Sequence, residues 1–485
     1  MPRKRDSEFR QYVAAIIGCL TSIGYGTALT WTSPAIPYLR SINSTLPVTT
    51  EQSDRISSLI TIGYIIGYIL NPFIIEKLGR KRTLMLYSIP QIISWVLIII
   101  AKNHTTIYIA RLLGGIGYGG AICALTIYLS EVGSPKIRGI FIVFMNLSMG
   151  LGFFLVMFLG AFVSYYCMNL VLLSIPAIFV ATFSFVPDSP HFMEKIYREG
   201  IEMKLKLNPL LLENGEKEKE EFEKEESEKE EHEKGEYDKE EHEEEEHEKG
   251  ELETTKFFIF KKSMIWKLLS LSHNRKALFI VISIAAMDSF SGHMILWTFT
   301  QQLLTYKGSL IDPEKATLIL TVVKFTASII STQIIEKMGR RVLLLSSGII
   351  GTIAHALVGV FFYFEERNFE LSFFSWVPLV GMATFEFAFA AGSANLFYLY
   401  QAELFSTDVK SMAVMVIKVS YMIFSYFCLF RFQVLLVDIG RCTIFWIFSV
   451  FAGIGTFFVF SMTPETRGKT IDEIQVILKS KKFFV

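Results

Sequence analysis

The sequence predicts an all-α membrane protein of twelve transmembrane helices in two six-helix halves, with both termini cytoplasmic. Three observations carry that expectation. Half of the 485 residues are apolar and 43 are phenylalanine, arranged in runs of about 20 residues, each long enough to cross a ~30 Å hydrocarbon layer as a helix. The charged hexapeptide Glu76-Lys77-Leu78-Gly79-Arg80-Lys81 recurs as Glu336-Lys337-Met338-Gly339-Arg340-Arg341, each copy a tight hinge between two apolar runs. A second signature follows each hinge. Tyr128-Leu129-Ser130-Glu131-Val132 precedes Arg138, and Tyr400-Gln401-Ala402-Glu403-Leu404 precedes Lys410, at the same offset from the glutamate. Two ordered motifs present twice mark an internal duplication of one membrane half, the pattern of parallel-repeat transporters.

In order, a basic tail (Arg3, Lys4, Arg5, Arg10) leads directly into the first run, and no small-residue cleavage site marks it as a signal peptide. Spans are expected at 11–31, 55–75, 84–101, 107–130, 139–163 and 169–187, then at 277–300, 314–335, 342–363, 374–402, 411–437 and 442–462. Lys and Arg cluster in the tail and in the hinge loops, whereas Lys102, Lys307 and Arg367 are isolated in the alternating loops. This asymmetry sets the basic side in the cytoplasm and the chain in the cell membrane as a multi-pass protein. Asn43-Ser44-Thr45 then falls in the largest outer loop, as a glycan acceptor at Asn43. Asn103-His104-Thr105 hugs the bilayer and Asn146-Leu147-Ser148 lies inside a span, so neither reads as a glycan site. Gly114, Gly115, Gly117, Gly119 and Gly120 let the fourth span approach its neighbours closely. They are no phosphate loop, because no strand precedes them.

The expected domains are 1–187 and 275–462, the two halves, separated by a cytoplasmic centre at 188–274 and followed by a tail at 463–485. Short amphipathic helices are expected at 193–212 and 255–271. Between them, residues 213–253 hold 22 Glu and one Asp against seven Lys. The formal net charge of zero therefore hides a tract of −16 and a remainder of +16. Such a tract cannot bury a core, and its charge suits a basic partner. His232, His242 and His247 fall within alternating Glu and Lys, which read as a solvated spacer and not as a metal site. Cys19, Cys123, Cys167, Cys428 and Cys442 lie in or beside spans with no pairing or ligand spacing. No catalytic constellation, nucleic-acid motif or cofactor motif is present, so no enzyme activity, cofactor or metal is expected.

Taken together, the duplicated hinge, Arg111-Leu112-Leu113-Gly114, Tyr128…Glu131…Arg138-Gly139, Pro187-Asp188-Ser189-Pro190 and Pro464-Glu465-Thr466-Arg467-Gly468-Lys469-Thr470 resemble the sugar porters of the major facilitator superfamily. Trp31-Thr32-Ser33-Pro34-Ala35 is similar to the insect facilitated trehalose transporter branch. The resemblance covers the chain outside the acidic tract. It implies facilitated transport of a sugar, trehalose or a hexose, by alternating access of the two halves. It also implies a cytoplasmic gate: Glu131 and Arg138 meeting Arg80 and Lys81 beside Glu76, and Glu403 and Lys410 meeting Arg340 and Arg341 beside Glu336. Lys410 stands where the family has an arginine, and a point charge there makes a looser latch than a guanidinium fork.

The sugar site the resemblance implies departs from the family in its second half. Asn146 replaces a glutamine. Asp288-Ser289-Phe290-Ser291-Gly292-His293-Met294 stands for Gln-Gln-x-Ser-Gly-Ile-Asn, and Lys324 and Tyr421 replace asparagines. Gly392-Ser393-Ala394-Asn395-Leu396-Phe397-Tyr398 takes the place of a proline-rich run. The substrate-contact candidates are Asn146, Asp288, Ser289, Met294, Lys324, Tyr398 and Tyr421. Charges inside spans are costly and usually functional or paired, so Asp288 and Lys324 are expected to face each other, with Glu386 and Lys418 as further mid-span charges. These substitutions keep two alternatives open: a charged or zwitterionic solute, with or without a coupled proton, and a non-transporting sensor or scaffold of the same fold.

A segment of charge −16 packs against a basic membrane face only with strong salt dependence. Deleting 213–253 is therefore expected to leave expression and monodispersity in size-exclusion chromatography near those of the parent; loss of insertion or bulk aggregation would contradict this.

Overall fold

The computed structural model describes residues 2–42, 44, 46–133, 138–189, 267–306, 309, 311–405, 407–467, 469 and 471–479, for some of them the backbone alone. Asn43, the acidic tract 213–253 and most of the flanking helices expected at 193–212 and 255–271 lie outside the described residues.

The first half runs through α1 (Pro2–Thr30) and its continuation α2 (Thr32–Arg40), then α3 (Thr50–Leu78), α4 (Arg80–Ile100), α5 (His104–Val132), α6 (Arg138–Phe162) and α7 (Tyr165–Phe183). The second half has α8 (Ser272–Phe290), α9 (His293–Leu303), α10 (Pro313–Lys337), α11 (Arg340–Glu365), α12 (Val377–Ala391), α13 (Ser393–Glu403), α14 (Thr407–Phe430) and α15 (Phe432–Met462), closed by α16 (Ile471–Lys479). Among the described residues, eleven helical stretches are long and apolar enough to cross a membrane. The twelfth expected span is α10, 25 residues long. Its apolar run carries Lys324 at the middle and is interspersed with Thr317, Thr321, Thr326, Ser328 and Ser331.

The seventh and tenth spans break at glycines. The seventh span divides into α8 and α9 at Gly292, which takes φ +88° where an L side chain would be strained and would also meet the Phe448 ring. The tenth span divides into α12 and α13 at Gly392, whose missing side chain makes room for Ser347.

Packing within the first half follows the glycine pattern of α5. A β-carbon on Gly115 would run into the Ile60 carbonyl oxygen, and one on Gly63 into that of Leu112, so α3 and α5 touch backbone to backbone. Gly117 and Gly120 make the same allowance toward Tyr87 of α4. The buried Arg111 of α5 donates from Nη1 to the Ala28 carbonyl at 2.8 Å and from Nε to that of Ile56 at 3.2 Å, with Trp31 under its guanidinium. It joins α1, α3 and α5 through backbone acceptors. Asn103 caps α5 by accepting from the Thr106 N–H at 2.8 Å.

The halves meet along α3 with α14, α6 with α10, and α2 with α9. The core divides accordingly: one apolar cluster belongs almost wholly to α1–α7 and two to α8–α16, with Ile36 of α2 joining the latter.

Gly115→Val is expected to lower thermal stability by about 1–3 kcal/mol through overpacking, read as a reduced Tm of the purified protein in detergent. An unchanged Tm would mean that α3 and α5 separate without cost.

Candidate functional site

A cavity of about 130 Å³ lies where the halves meet. The first half supplies Tyr25 and Leu29 of α1 and Asn146, Gly150 and Phe153 of α6. The second supplies Asp288 of α8, His293, Met294 and Trp297 of α9, Lys324 of α10, Phe389 of α12, Asn395 and Tyr398 of α13 and Tyr421 of α14. Six of the seven candidates from sequence thus line one space. Ser289 does not: it is fully buried, with its hydroxyl 3.4 Å from that of Ser425, because successive residues of a helix point about 100° apart.

The mid-span charges pair differently from expectation. Lys324 Nζ is 3.7 Å from Glu386 Oε2, and it lies 2.9 Å from the centroid of the Trp297 indole and 4.7 Å from that of Phe153. The indole Nε1 of Trp297 donates to the same Glu386 oxygen at 3.4 Å. Glu386, noted in the sequence only as a further charge, is therefore the carboxylate partner of Lys324. The reason is reach: α10 packs along α12, which presents Glu386, whereas Asp288 sits on the unbroken part of the seventh span. Asp288 is 5% exposed, with Oδ1 3.7 Å from His293 Nδ1 and its carboxylate hydrogen-bonded to the Tyr421 hydroxyl. Sequence reasoning missed His293 and Trp297, although both follow the glycine break, His293 within the seven-residue stretch and Trp297 one helical turn further on. Lys418 points elsewhere, toward Cys123 and the Tyr68 ring.

At the hinge end, Arg80 Nη2 and Nε both donate to Glu131 Oε1, at 2.5 and 3.0 Å. Lys81 donates to the Ser184 carbonyl at 2.7 Å. In the second copy, Arg340 Nη2 reaches Glu403 Oε1 at 3.4 Å. Both pairs lie inside one half, so they brace each half and do not bridge the two. Glu76 is exposed, and the side chains of Arg138 and Glu336 lie outside the described residues. Among the described residues no carboxylate pairs with Lys410, and burial lowers its ammonium from the ordinary lysine range. A further residue, Glu465, caps α11. It accepts from the N–H groups of Arg340, Arg341 and Arg467 at 3.0, 3.1 and 3.1 Å. Partial burial opposes its ionisation, but these donors and the Arg340 charge prevail and hold the carboxyl below the usual range. The signal for it was the Pro464-Glu465-Thr466-Arg467 motif, which the sequence reading quoted without giving it a job.

At the opposite end, a polar network crosses between the halves. Asp54 of α3, 1% exposed, accepts from the N–H groups of Gln433 and Val434 at the start of α15, at 2.9 and 3.3 Å. Arg40 donates to the Gln433 side chain at 2.9 Å, and Gln433 donates to that of Gln302 at 2.5 Å.

A bundle with this duplicated architecture, divided helices and a central cavity between halves is that of a multi-pass transporter of the major facilitator fold. The profile of the family described as Sugar (and other) transporter matches residues 12–478. The chain belongs to that family, and its work is carriage of a solute and not catalysis. It is 26% identical over 479 residues to a protein named facilitated trehalose transporter Tret1-2 homolog from Drosophila simulans, spanning 97% of this chain and 91% of that one. It is likewise 26% identical over 472 residues to facilitated trehalose transporter Tret1 of Culex quinquefasciatus, with 96% and 85% covered. In fold it matches the inward-open xylose transporter XylE from E. coli with a TM-score of 0.70 at 17% identity, covering 96% of this chain and 99% of that one.

Lys324→Met alone strands Glu386 in the membrane interior, an expected loss of about 3–5 kcal/mol. Adding Glu386→Gln is expected to recover much of it, whereas adding Asp288→Asn recovers less. Thermal unfolding of the single and double variants reads the two coupling energies, and a larger coupling to Asp288 would refute the pairing.

Proposed function

We propose that the chain carries a small sugar, trehalose or a hexose, across the cell membrane by facilitated transport with alternating access. The observation that carries this reading is the central cavity, lined by polar groups from both halves and bounded at one end by a network that joins them. Family membership and the names of its relatives support a sugar as the solute. Asn146, Met294, Tyr398 and Tyr421, with Asp288 and Lys324, form its contact surface. The hinge end is cytoplasmic, as are both termini. Residues 1–187 and 275–462 move as the two halves, and 188–274 forms a cytoplasmic connector whose acidic tract suits a basic partner. Asn43 is then outside, where it accepts a glycan. The charged cluster Asp288, Lys324 and Glu386 favours, as a second reading, a solute that itself carries charge.

In this scheme the Asp54 network is the outer gate and the hinge pairs are braces on the inner face. Exposed ion pairs are worth only ~0–1 kcal/mol each, so the inner pairs set geometry more than they hold the halves shut. Uptake of labelled trehalose and glucose into vesicles containing the purified full chain tests the reading; no flux of either above protein-free vesicles would sink it.

Asp54→Ala removes the acceptor for two backbone N–H groups and is expected to favour the outward-open state. A cysteine placed at Leu29 should then be modified severalfold faster by an impermeant thiol reagent applied outside. An unchanged rate would mean that the network does not gate access.

A further inference from the structure

Counting the cavity wall and the Glu386 carboxylate behind Lys324 and Trp297, acidic groups outnumber basic ones, Asp288 and Glu386 against Lys324, and the excess sits on one identifiable group. Glu386 is answered by Lys324 at 3.7 Å and by the Trp297 indole N–H. Asp288 has no such cation. No ammonium or guanidinium lies within ion-pair distance of it among the described residues. Its Oδ1 is buried without a hydrogen-bond partner, and His293 Nδ1, at 3.7 Å, is beyond hydrogen-bond length. Neither ring nitrogen of His293 meets a partner among the described residues, although the residue is 2% exposed. Nothing in the site therefore holds a second proton on that ring, which is wedged between Trp297 and Phe389, with centroids 4.0 and 3.7 Å away. The Tyr421 hydroxyl steadies the Asp288 carboxylate without adding charge. The carboxylate therefore has one neutral donor but no counter-charge, and its Oδ1 is buried unmet, a state whose cost is large.

Lys324 shows what a cation finds in this space. Its ammonium rests on two aromatic faces beside a carboxylate, an arrangement that attracts ammonium groups in general. One such place is filled by the chain's own lysine. The other, at Asp288 and His293, is built from the same kinds of group and stands on the cavity wall with unpartnered atoms.

We propose that the solute is a sugar bearing one protonated amine, an amino sugar, and that Asp288 is its counter-ion. The inference rests on the sugar-transport reading and names the class of sugar. The ammonium donates to Asp288 Oδ1, and an unprotonated His293 nitrogen accepts from a neighbouring N–H or O–H. Asn146, on the opposite half, answers ring hydroxyls, as neutral amides do without a desolvated charge. One added positive charge then balances Asp288, while Lys324 and Glu386 balance each other. A neutral hexose fits the same outline but leaves the Asp288 charge uncompensated, and so it is the poorer substrate.

The test uses vesicles containing the purified full chain at neutral pH, with D-glucosamine, N-acetyl-D-glucosamine and D-glucose as probes. The first two share a skeleton and differ in the charge on nitrogen. Glucosamine is expected to be taken up at least tenfold more efficiently than either neutral sugar, and to compete with glucose uptake where N-acetylglucosamine does not. Asp288→Asn is expected to abolish that preference, read as the ratio of glucosamine to glucose uptake within the same variant. Asp288→Glu, which keeps the charge, is expected to restore part of it. The competition assay on the unaltered protein stands even if the variants fold poorly. Glucose transport with no preference for the amine overturns the inference and leaves sugar transport standing. Glucose uptake accompanied by acidification of the vesicle interior also overturns it, because a proton then supplies the missing charge. Flux of none of the three overturns both.

Discussion

Lys324 sits at the middle of a membrane helix, and the form of the cavity follows from how its charge is met. An ammonium in hydrocarbon costs several kcal/mol unless paired. Glu386 on α12 and the Trp297 and Phe153 rings meet it from three other helices. Those contacts require α9 to begin just before Trp297, which the break at Gly292 provides, and they require α6 to approach α10 closely enough to bring Phe153 across the seam between halves. The lysine therefore fixes the relative placement of α6, α9, α10 and α12 on one side of the space. The opposite side is left to Asp288, His293 and Tyr421. A single substitution to a neutral residue would loosen this whole wall as well as change its charge.

The duplicated hinge shows one sequence pattern solved in two ways. In the first copy, Gly79 takes φ +79° between α3 and α4, and the adjacent Arg80 makes a short two-point contact with Glu131. In the second, Gly339 has φ −62°, which any residue adopts. What matters there is the absent side chain, since a β-carbon would press on the Glu465 carboxylate. Glu465 takes over the start of α11, and the Arg340–Glu403 contact lengthens to 3.4 Å. The two halves thus share a hinge but not a bracing scheme, and the second is held more by the chain after α15 than by its own arginine.

Most of the fold was legible because bilayer physics writes it in large letters. Apolar runs of span length, basic loops and paired hinges are properties of stretches, so errors at single positions do not matter. The seventh span breaks at Gly292, where a glycine amid polar residues ends a helix readily. The wall of the cavity was only half legible. Asn146, Lys324, Tyr398 and Tyr421 came from matching positions, which carries residue placement when a helix is continuous. Ser289 failed because one step along a helix turns a side chain away from the cavity. The Asp288–Lys324 pairing failed because complementary charge says nothing about which helices pack together. Glu386 was nearer for reasons of α10–α12 packing, which no linear pattern displays. Asp54 carried no signal at all, since its partners are backbone groups almost four hundred residues away.

That last contact also explains how a closed end can open again. Asp54 is held by two backbone N–H groups at the first turn of α15, a place where a helix presents donors and a positive end to an anion. Charge-assisted bonds of this kind contribute roughly 1.5–3 kcal/mol each when intact. When the halves part, however, water replaces the lost donors for Asp54 and for Gln433 and Val434 alike, so the net cost of opening is well below that sum. A side-chain ion pair buried at the same place would lose more on closing, because two charges would be desolvated where now there is one. Arg40, Gln433 and Gln302 extend the contact with neutral amides and one guanidinium, which hydrate readily. The gate is therefore strong enough in place to define a closed end and weak enough in balance to be released by binding energy gained in the cavity. This is the condition alternating access sets on any gate, because a solute can shift the two states only by its difference in affinity between them.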